Sequence, residues 1–499
     1  MSRKTRTFLF FLFLALFFGA APAIIAYSQG YRVDWDSKRI VKTGAFSFEP
    51  RPAPVELFLD GKRKKRSNFV FQNIFIGNLL PKHYSVEITK EGYYTWRKIL
   101  PIAPKLVTEV KNLMLFPTRG VTLEIADDVH NFFFSPSGKR IVLVKHNSVP
   151  QLYVYETEAK TEKFLFQAVS SLGEFALSNI QWNKDSTRFL FSQGGYRPKE
   201  SERNPATNRT ATPEFIETWT LINAGAWQAE TLDLSHAIEN SKDFKLYTEK
   251  LSTPHVGHFR WDTDNPSRLF FTVGGVEQDK THILFSYDAD SGKLSKPYAY
   301  DVLQYTILGN SILYISSRLG TVHMIDRTSD NVSQVLFNRA FDAQTDSEIT
   351  FFTSPRLAIS VDGSLHLFDE RGNSLDRTIE NIDDAIPSFD NKKLLLRGES
   401  NLRVYWLQDV HIQPFHDAGD LEEVYRSPKE IFDAVWFSKD NEHIIFTDSD
   451  TIQVMELDGR GQRNRHVLTS RKAEKLFYER EENTLYFLST STLYAISLK

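Results

Sequence analysis

The sequence has no cysteine among its 499 residues. That absence excludes disulfide bridges, thiol nucleophiles, zinc-thiolate centres and a lipidated N-terminal cysteine. A large excess of one charge is also missing. The formal net charge is −3, far from the basic surface that nucleic acid requires, so nucleic acid is not the expected partner. There is no Gly-x-Ser-x-Gly elbow, no His-Glu-x-x-His zinc motif and no phosphate-binding glycine loop. No cofactor or metal is implied. The 13 histidines are scattered singly, and His258 and His323 fall in strand-like patterns that suit packing or surface roles.

What is present reads as ordinary globular protein, 41% hydrophobic and 25% charged, long enough for two or three domains. One apolar run stands out. Residues Phe8 to Tyr27 carry no charge and follow Arg3, Lys4 and Arg6. A helix of that length spans about 30 Å, the thickness of a bilayer core. Twelve of its residues are Phe, Leu or Ile, each favouring insertion by about 0.3–0.6 kcal/mol. The basic flank keeps the N-terminus cytoplasmic and sends the bulk of the chain across the membrane. The competing reading is a cleaved signal peptide with Ala21-Pro22-Ala23 as its small-residue site. Against it, the apolar run continues through Ile24 and Ile25.

Beyond the helix the pattern becomes short alternating segments separated by turn residues. Val55 to Leu59 alternates like a half-buried strand and ends at Asp60-Gly61, a hairpin signal. Tyr84 to Ile88 reads as a second strand, closing at Lys90-Glu91-Gly92-Tyr93. Trp96 to Ile102 and Val107 to Leu115 supply two more. Lys62, Arg63, Lys64, Lys65 and Arg66 form a run of cations just after the Asp-Gly turn. The run offers a contact for anionic wall polymer or lipid headgroups; the plainer reading is a charged hairpin tip in solvent.

The segments Pro52 to Leu59, Asp60-Gly61-Lys62, Leu80-Pro81-Lys82-His83-Tyr84-Ser85-Val86 and Lys90-Glu91-Gly92-Tyr93 together resemble the PEGA domain family. Lys82-His83 stands where that family usually has glycine before the aromatic. The resemblance covers about residues 45–116 and implies a spacer or binding module of envelope and surface-layer proteins, without catalysis.

The remainder is repetitive. Phe132 to Val144 combines an aromatic strand, a Ser-Pro-Ser-Gly turn and an apolar strand. Ile180 to Phe191 repeats the unit with Asn183-Lys184-Asp185-Ser186. Phe259 to Phe271 and Val435 to Phe446 are further copies, and weaker ones lie at Ile307 to Ile315, Arg356 to Phe368, Ile386 to Leu396 and Leu476 to Leu488. A following strand recurs, as in Leu152-Tyr153-Val154-Tyr155 and Leu493-Tyr494-Ala495-Ile496. A period of about 40–50 residues with three or four short strands predicts a β-propeller, because one small sheet cannot bury both faces alone. The turns resemble those of TolB-like and WD-type propellers. Eight copies predict eight blades, with seven as the alternative. Gly120 to Ile125 is placed to add the outer strand that the last copy lacks, closing the ring. Gly194 to Pro213 reads as a long surface loop containing the glycosylation-type triplet Asn208-Arg209-Thr210. Asp262, Asp264, Asp288 and Asp290 suit turns better than calcium ligation.

The expected organisation is therefore all-β after one helix: a tail at 1–7, a membrane helix at 8–27, a PEGA-like unit at 30–116 and a propeller at 117–499. The expected function is a non-enzymatic, membrane-anchored scaffold binding a protein, peptide or glycan of the cell envelope. An envelope hydrolase or lyase, or a structural surface-layer element, is the alternative.

Overall fold

The computed structural model describes residues 3–499 apart from 36, 68–72, 148, 169–174, 198–213, 225–229, 250, 252–253, 275–281, 329–332, 338–348, 354–356, 362 and 369–374. Helix α1, Arg3–Ser28, contains Pro22. Its segment Thr5–Ser28 is apolar and long enough to cross a membrane, and none of it is buried within the protein. Phe8 and Phe18 are each 67% exposed, so α1 is not a core helix.

The strands that follow are β1 (Tyr31–Asp34), β2 (Arg39–Lys42), β3 (Gly44–Arg51), β4 (Glu56–Leu59), β5 (Lys62–Arg66), β6 (Ile74–Leu79), β7 (His83–Thr89), β8 (Trp96–Pro101), β9 (Val107–Met114) and β10 (Thr122–Ala126). β1 and β2 form a separate hairpin, while two sheets ordered β6-β3-β9 and β5-β4-β7-β8 enclose one core. Alternation explains that core: in β8, Trp96, Lys98 and Leu100 point inward and the residues between them outward. Close packing at the start of β3 demands glycine. A Cβ on Gly44 would lie 2.4 Å from the Ala103 carbonyl oxygen and 2.8 Å from that of Leu106.

The basic run is not the hairpin tip that its position suggested. Asp60 and Gly61 adopt φ of 48° and 72°, the left-handed pair of a two-residue turn whose twist matches its strands. Lys62 therefore already pairs with Leu59, and the run becomes β5, the outer strand of its sheet.

From β10 onward the architecture repeats. Four-stranded antiparallel meanders occupy 129–167, 175–233, 349–380, 384–426 and 434–469, and 255–337 form a continuous eight-stranded sheet. Residues 475–497 give three strands, and β10 adds the fourth by pairing Thr122 with Ile496 and Leu123 with Ala495. First strands of successive meanders touch: Val129–Phe134 meets Phe175–Trp182, which meets His255–Trp261, and Ala434–Trp436 meets Lys475–Glu479. Sheets arranged in chain order around shared inner strands, and closed by an N-terminal strand on the last sheet, make a β-propeller.

The recurring turn has a single physical basis. Its first polar side chain accepts backbone N–H groups left free between two strands. Ser135 Oγ accepts from Arg140 N at 3.1 Å, Asn183 Oδ1 from Thr187 N at 3.0 Å and Arg188 N at 2.9 Å, and Ser388 Oγ from Lys393 N at 3.0 Å. Asp262 does the same for Asp264 N at 3.0 Å and pairs with Arg327 at 2.6 Å. Asp288 Oδ1 accepts from Ser291 N at 2.8 Å. These aspartates are held by turns and arginine.

Two expectations are corrected. Gly194–Arg197 belongs to the strand Arg188–Arg197, paired with Glu214–Asn223, so a loop cannot begin at Gly194. Residues 198–213, including Asn208-Arg209-Thr210, lie outside the described residues. Two short helices also interrupt the β pattern: α2, Leu234–Glu239, capped by Asp233, and α3, Lys242–Thr248, capped by Ser241. They bury Leu234, Ile238 and Phe244 against neighbouring strands.

Candidate functional site

Strand polarity gives the propeller two distinct ends. In the sheet 434–469, Ala434 pairs with Phe446 and Asp448 with Thr451, so these share one end; Trp436, His443 and Glu456 share the other. The first end is where inner strands begin. There Lys475 donates from Nζ to Asn131 Oδ1 at 2.7 Å and to the Phe132 carbonyl at 2.8 Å, tying the last sheet to the first. Its ammonium also lies 4.1 Å from the Phe133 ring centroid, a cation–π contact. Burial pushes the Lys475 pKa down to about 8, against the opposing pull of the Asp433 carboxylate. Asp433 accepts from Leu476 N at 2.7 Å and Ala434 N at 2.8 Å. Burial nonetheless lifts its carboxyl above the ordinary carboxylate range, with Arg397 opposing and Asp384 adding to the rise. Perturbed groups converging from several sheets make this axial mouth a candidate site.

Two large apolar side chains stand at the same end of the sheet 255–337. Tyr300, 62% exposed, opens the strand Ala299–Leu308, and Leu319, 56% exposed, lies between Ser311–Ser316 and Val322–Asp326. Paired Val302 and Ser316 fix that shared end. The histidines are also positioned here. His258 sits at φ 51° in a bulge of His255–Trp261, with its ring 5.6 Å from that of His282. Its edge reaches water, but protein encloses the ring, and enclosure governs its proton affinity. Burial, followed by His282, Arg260 and His255, drives its pKa to about 4. His323 is buried and stacked on Tyr314 at 4.9 Å. Among the described residues, no cluster of three or more His, Asp or Glu is arranged to hold a metal.

The second end carries a buried joint to the N-terminal unit. Lys98 of β8 points into the propeller, where its side chain is 0% exposed and its Nζ lies 2.9 Å from Glu456 and 3.5 Å from Asp458. It also donates to the Arg460 carbonyl at 3.1 Å. Trp96 Nε1 donates to the other Glu456 oxygen at 2.8 Å, and Asn464 N donates to Glu456 at 2.7 Å. Tyr94 stacks on His466 at 4.4 Å and Phe116 meets Phe437 edge-on at 5.2 Å. Arg460 binds Asp458 at 2.7 Å and the Glu109 carbonyl of β9 at 2.9 Å. A cleft beside this joint, lined by Trp406, Gln413, His416, Glu442 and Arg460, leaves about 50 Å³ for water. That is far below the ~300 Å³ of a ligand pocket, so the joint is structural.

The sequence-selected cations lie apart from both places. Arg63 pairs with Glu56 at 3.2 Å, and Lys65 donates to the Phe75 carbonyl at 3.2 Å. Lys62, Lys64 and Lys65 are exposed along β5. Lys475, Asp433, Lys98 and Glu456 were missed. Only Lys98 left a trace in the sequence, as a charge at an inward position of an alternating strand.

No protein family and no curated protein matches this chain. Solved structures do. A KlHsv2 variant with loop 6CD replaced by a Gly-Ser linker is 11% identical at TM-score 0.37, covering 64% of this chain and 90% of that one. The Cps50 (Swd1) β-propeller domain of Myceliophteria thermophila is 10% identical at TM-score 0.37, covering 76% and 100%. Sqt1 of Saccharomyces cerevisiae is 8% identical at TM-score 0.45, covering 76% and 98%. The propeller assignment rests on strand order and closure.

Proposed function

We propose that the chain is a non-enzymatic, membrane-anchored scaffold held outside the cytoplasm, which binds an envelope protein, peptide or glycan through the face where the inner strands begin. The proposed division is a cytoplasmic tail at 1–7, a membrane helix at 8–27, a PEGA-like spacer at 30–116 and a propeller at 117–499. Separating the eight-stranded sheet between Leu294 and Ala299 gives an eight-bladed ring. The observation carrying this reading is the opposition of the two ends: the joint occupies one and leaves the mouth, with Tyr300 and Leu319, open at the other. Exposed aromatic and aliphatic side chains on a rigid face suit a protein partner. Arg3, Lys4 and Arg6 favour a cytoplasmic tail, and a long folded segment crosses with little regard to its own charge.

Photo-crosslinkers at Tyr300 and Leu319 in the membrane-bound chain test the proposal. The expected result is one protein or glycan captured from both positions and not from Phe389, 61% exposed and beside the turn nearest the joint. Capture only of a second copy would favour a surface-layer element. An envelope hydrolase or lyase is the second reading, favoured by the low proton affinity of Lys475 at the mouth.

A further inference from the structure

The β1–β2 hairpin belongs to neither sheet of the N-terminal unit. It has four residues per strand, and an isolated two-stranded hairpin is marginal in water. Register puts Val33 opposite Ile40 and Tyr31 opposite Lys42 on one face. That face is uncovered: Val33 is 45% exposed, Ile40 70%, and Trp35 beyond the strand end 81%. Single exposed hydrophobics are common, but three on ten residues form a continuous apolar face.

Position supplies the occupant. The hairpin starts three residues after α1 ends, and Arg32 fastens it there. Arg32 Nη1 donates to the Tyr27 carbonyl at 2.7 Å, and its guanidinium lies 3.4 Å from the Tyr27 ring centroid. Arg32 also reaches Asn78 of β6 at 3.1 Å, so helix, hairpin and unit meet at one point. Arg32, Lys38, Arg39 and Lys42 stand around the apolar face. Tryptophan with cations beside a spanning helix suits the headgroup level of a bilayer.

We infer that the hairpin is a second membrane contact, lying in the interface with Val33, Trp35 and Ile40 toward the acyl chains and its cations among phospholipid phosphates. This rests on α1 spanning the membrane, as proposed above. Two points of contact hold the N-terminal unit against the surface, where a lone helix would let it swivel.

Because the chain is free of cysteine, Ile40→Cys, or Val33→Cys if the first folds poorly, gives a unique label site. Leu319→Cys is the distant control. Each full-length variant, carrying an environment-sensitive dye, is reconstituted into phosphatidylglycerol–phosphatidylethanolamine vesicles. The expected result is blue-shifted emission from position 40, quenched by brominated acyl chains and shielded from iodide, with the reverse at 319. Iodide quenching at 40 equal to that at 319, in protein that floats with the vesicles, overturns the hairpin contact and leaves the anchor intact. Shielding from both quenchers marks protein cover and overturns it too. Protein that fails to float with vesicles overturns the anchor and the hairpin contact together.

Discussion

Replacing Lys98 with methionine removes one charge from the joint while keeping the length of its stem. The Lys98 side chain is 0% exposed and that of Glu456 5%, so water does not replace what is lost. Breaking a buried ion pair from one side costs about 3–5 kcal/mol. The low end applies here, because Arg460 still neutralises Asp458 at 2.7 Å and Trp96 and Asn464 still donate to Glu456. A loss of about 3 kcal/mol corresponds to a Tm shift of roughly 6–12 °C for a cooperative unit of 150–250 residues. Thermal unfolding of the detergent-solubilised chain reads the shift, and limited proteolysis between Phe116 and Thr122 reads release of the N-terminal unit. Lys98→Met combined with Glu456→Gln should cost less than the sum of the single changes, since the second removes the orphaned charge. A Lys98→Met protein within about 0.5 kcal/mol of wild type, the range of neutral surface changes, would refute the account of the joint.

Gly44→Ala should destabilise by about 2–3 kcal/mol through overpacking against two backbone carbonyls; equal unfolding midpoints would contradict that packing. His443 is buried, and although burial alone would lower its pKa, the Asp440 carboxylate at 2.8 Å raises it above 6.5. Its contribution to stability is therefore complete below pH 6.5 and fades as pH rises through the elevated native value. His443→Gln should flatten that decline in a pH series of unfolding midpoints. With a pKa near 8, Lys475 holds on the order of 100-fold more neutral amine at pH 8 than an ordinary lysine. Acylation followed by mass spectrometry should titrate at residue 475 near pH 8; a midpoint above 10 would remove the main support for the enzymatic reading.

The repeats were legible because each depends on local chemistry. The turns at Ser135, Asn183 and Ser388 each use one side chain to satisfy N–H groups within five residues. Ring closure was legible too, since an orphan strand at 120–125 and a sheet short of one strand call for each other; β10 does pair with Thr122↔Ile496 register. The fate of β5 was decided by Asp60 and Gly61 both adopting positive φ, a choice that composition alone leaves open. Helices α2 and α3 were missed because they are six and seven residues long, too short for a periodic signal. The joint was invisible for another reason. Trp96 and Glu456 meet across 360 residues of chain, and only three-dimensional closure makes them neighbours. The mouth likewise joins residues 131, 433 and 475, which no local spacing connects.

The seam between β10 and the strand Thr492–Ser497 sets a timetable for biogenesis. The two halves of the seam leave the ribosome about 370 residues apart, which at ordinary synthesis rates means a wait of roughly 20–75 s. During that interval β10 presents an unsatisfied edge, and every sheet already made has a neighbour on one side only. Export in an unfolded state, or a chaperone that shelters strand edges until the seam can form, becomes a condition for reaching the closed ring.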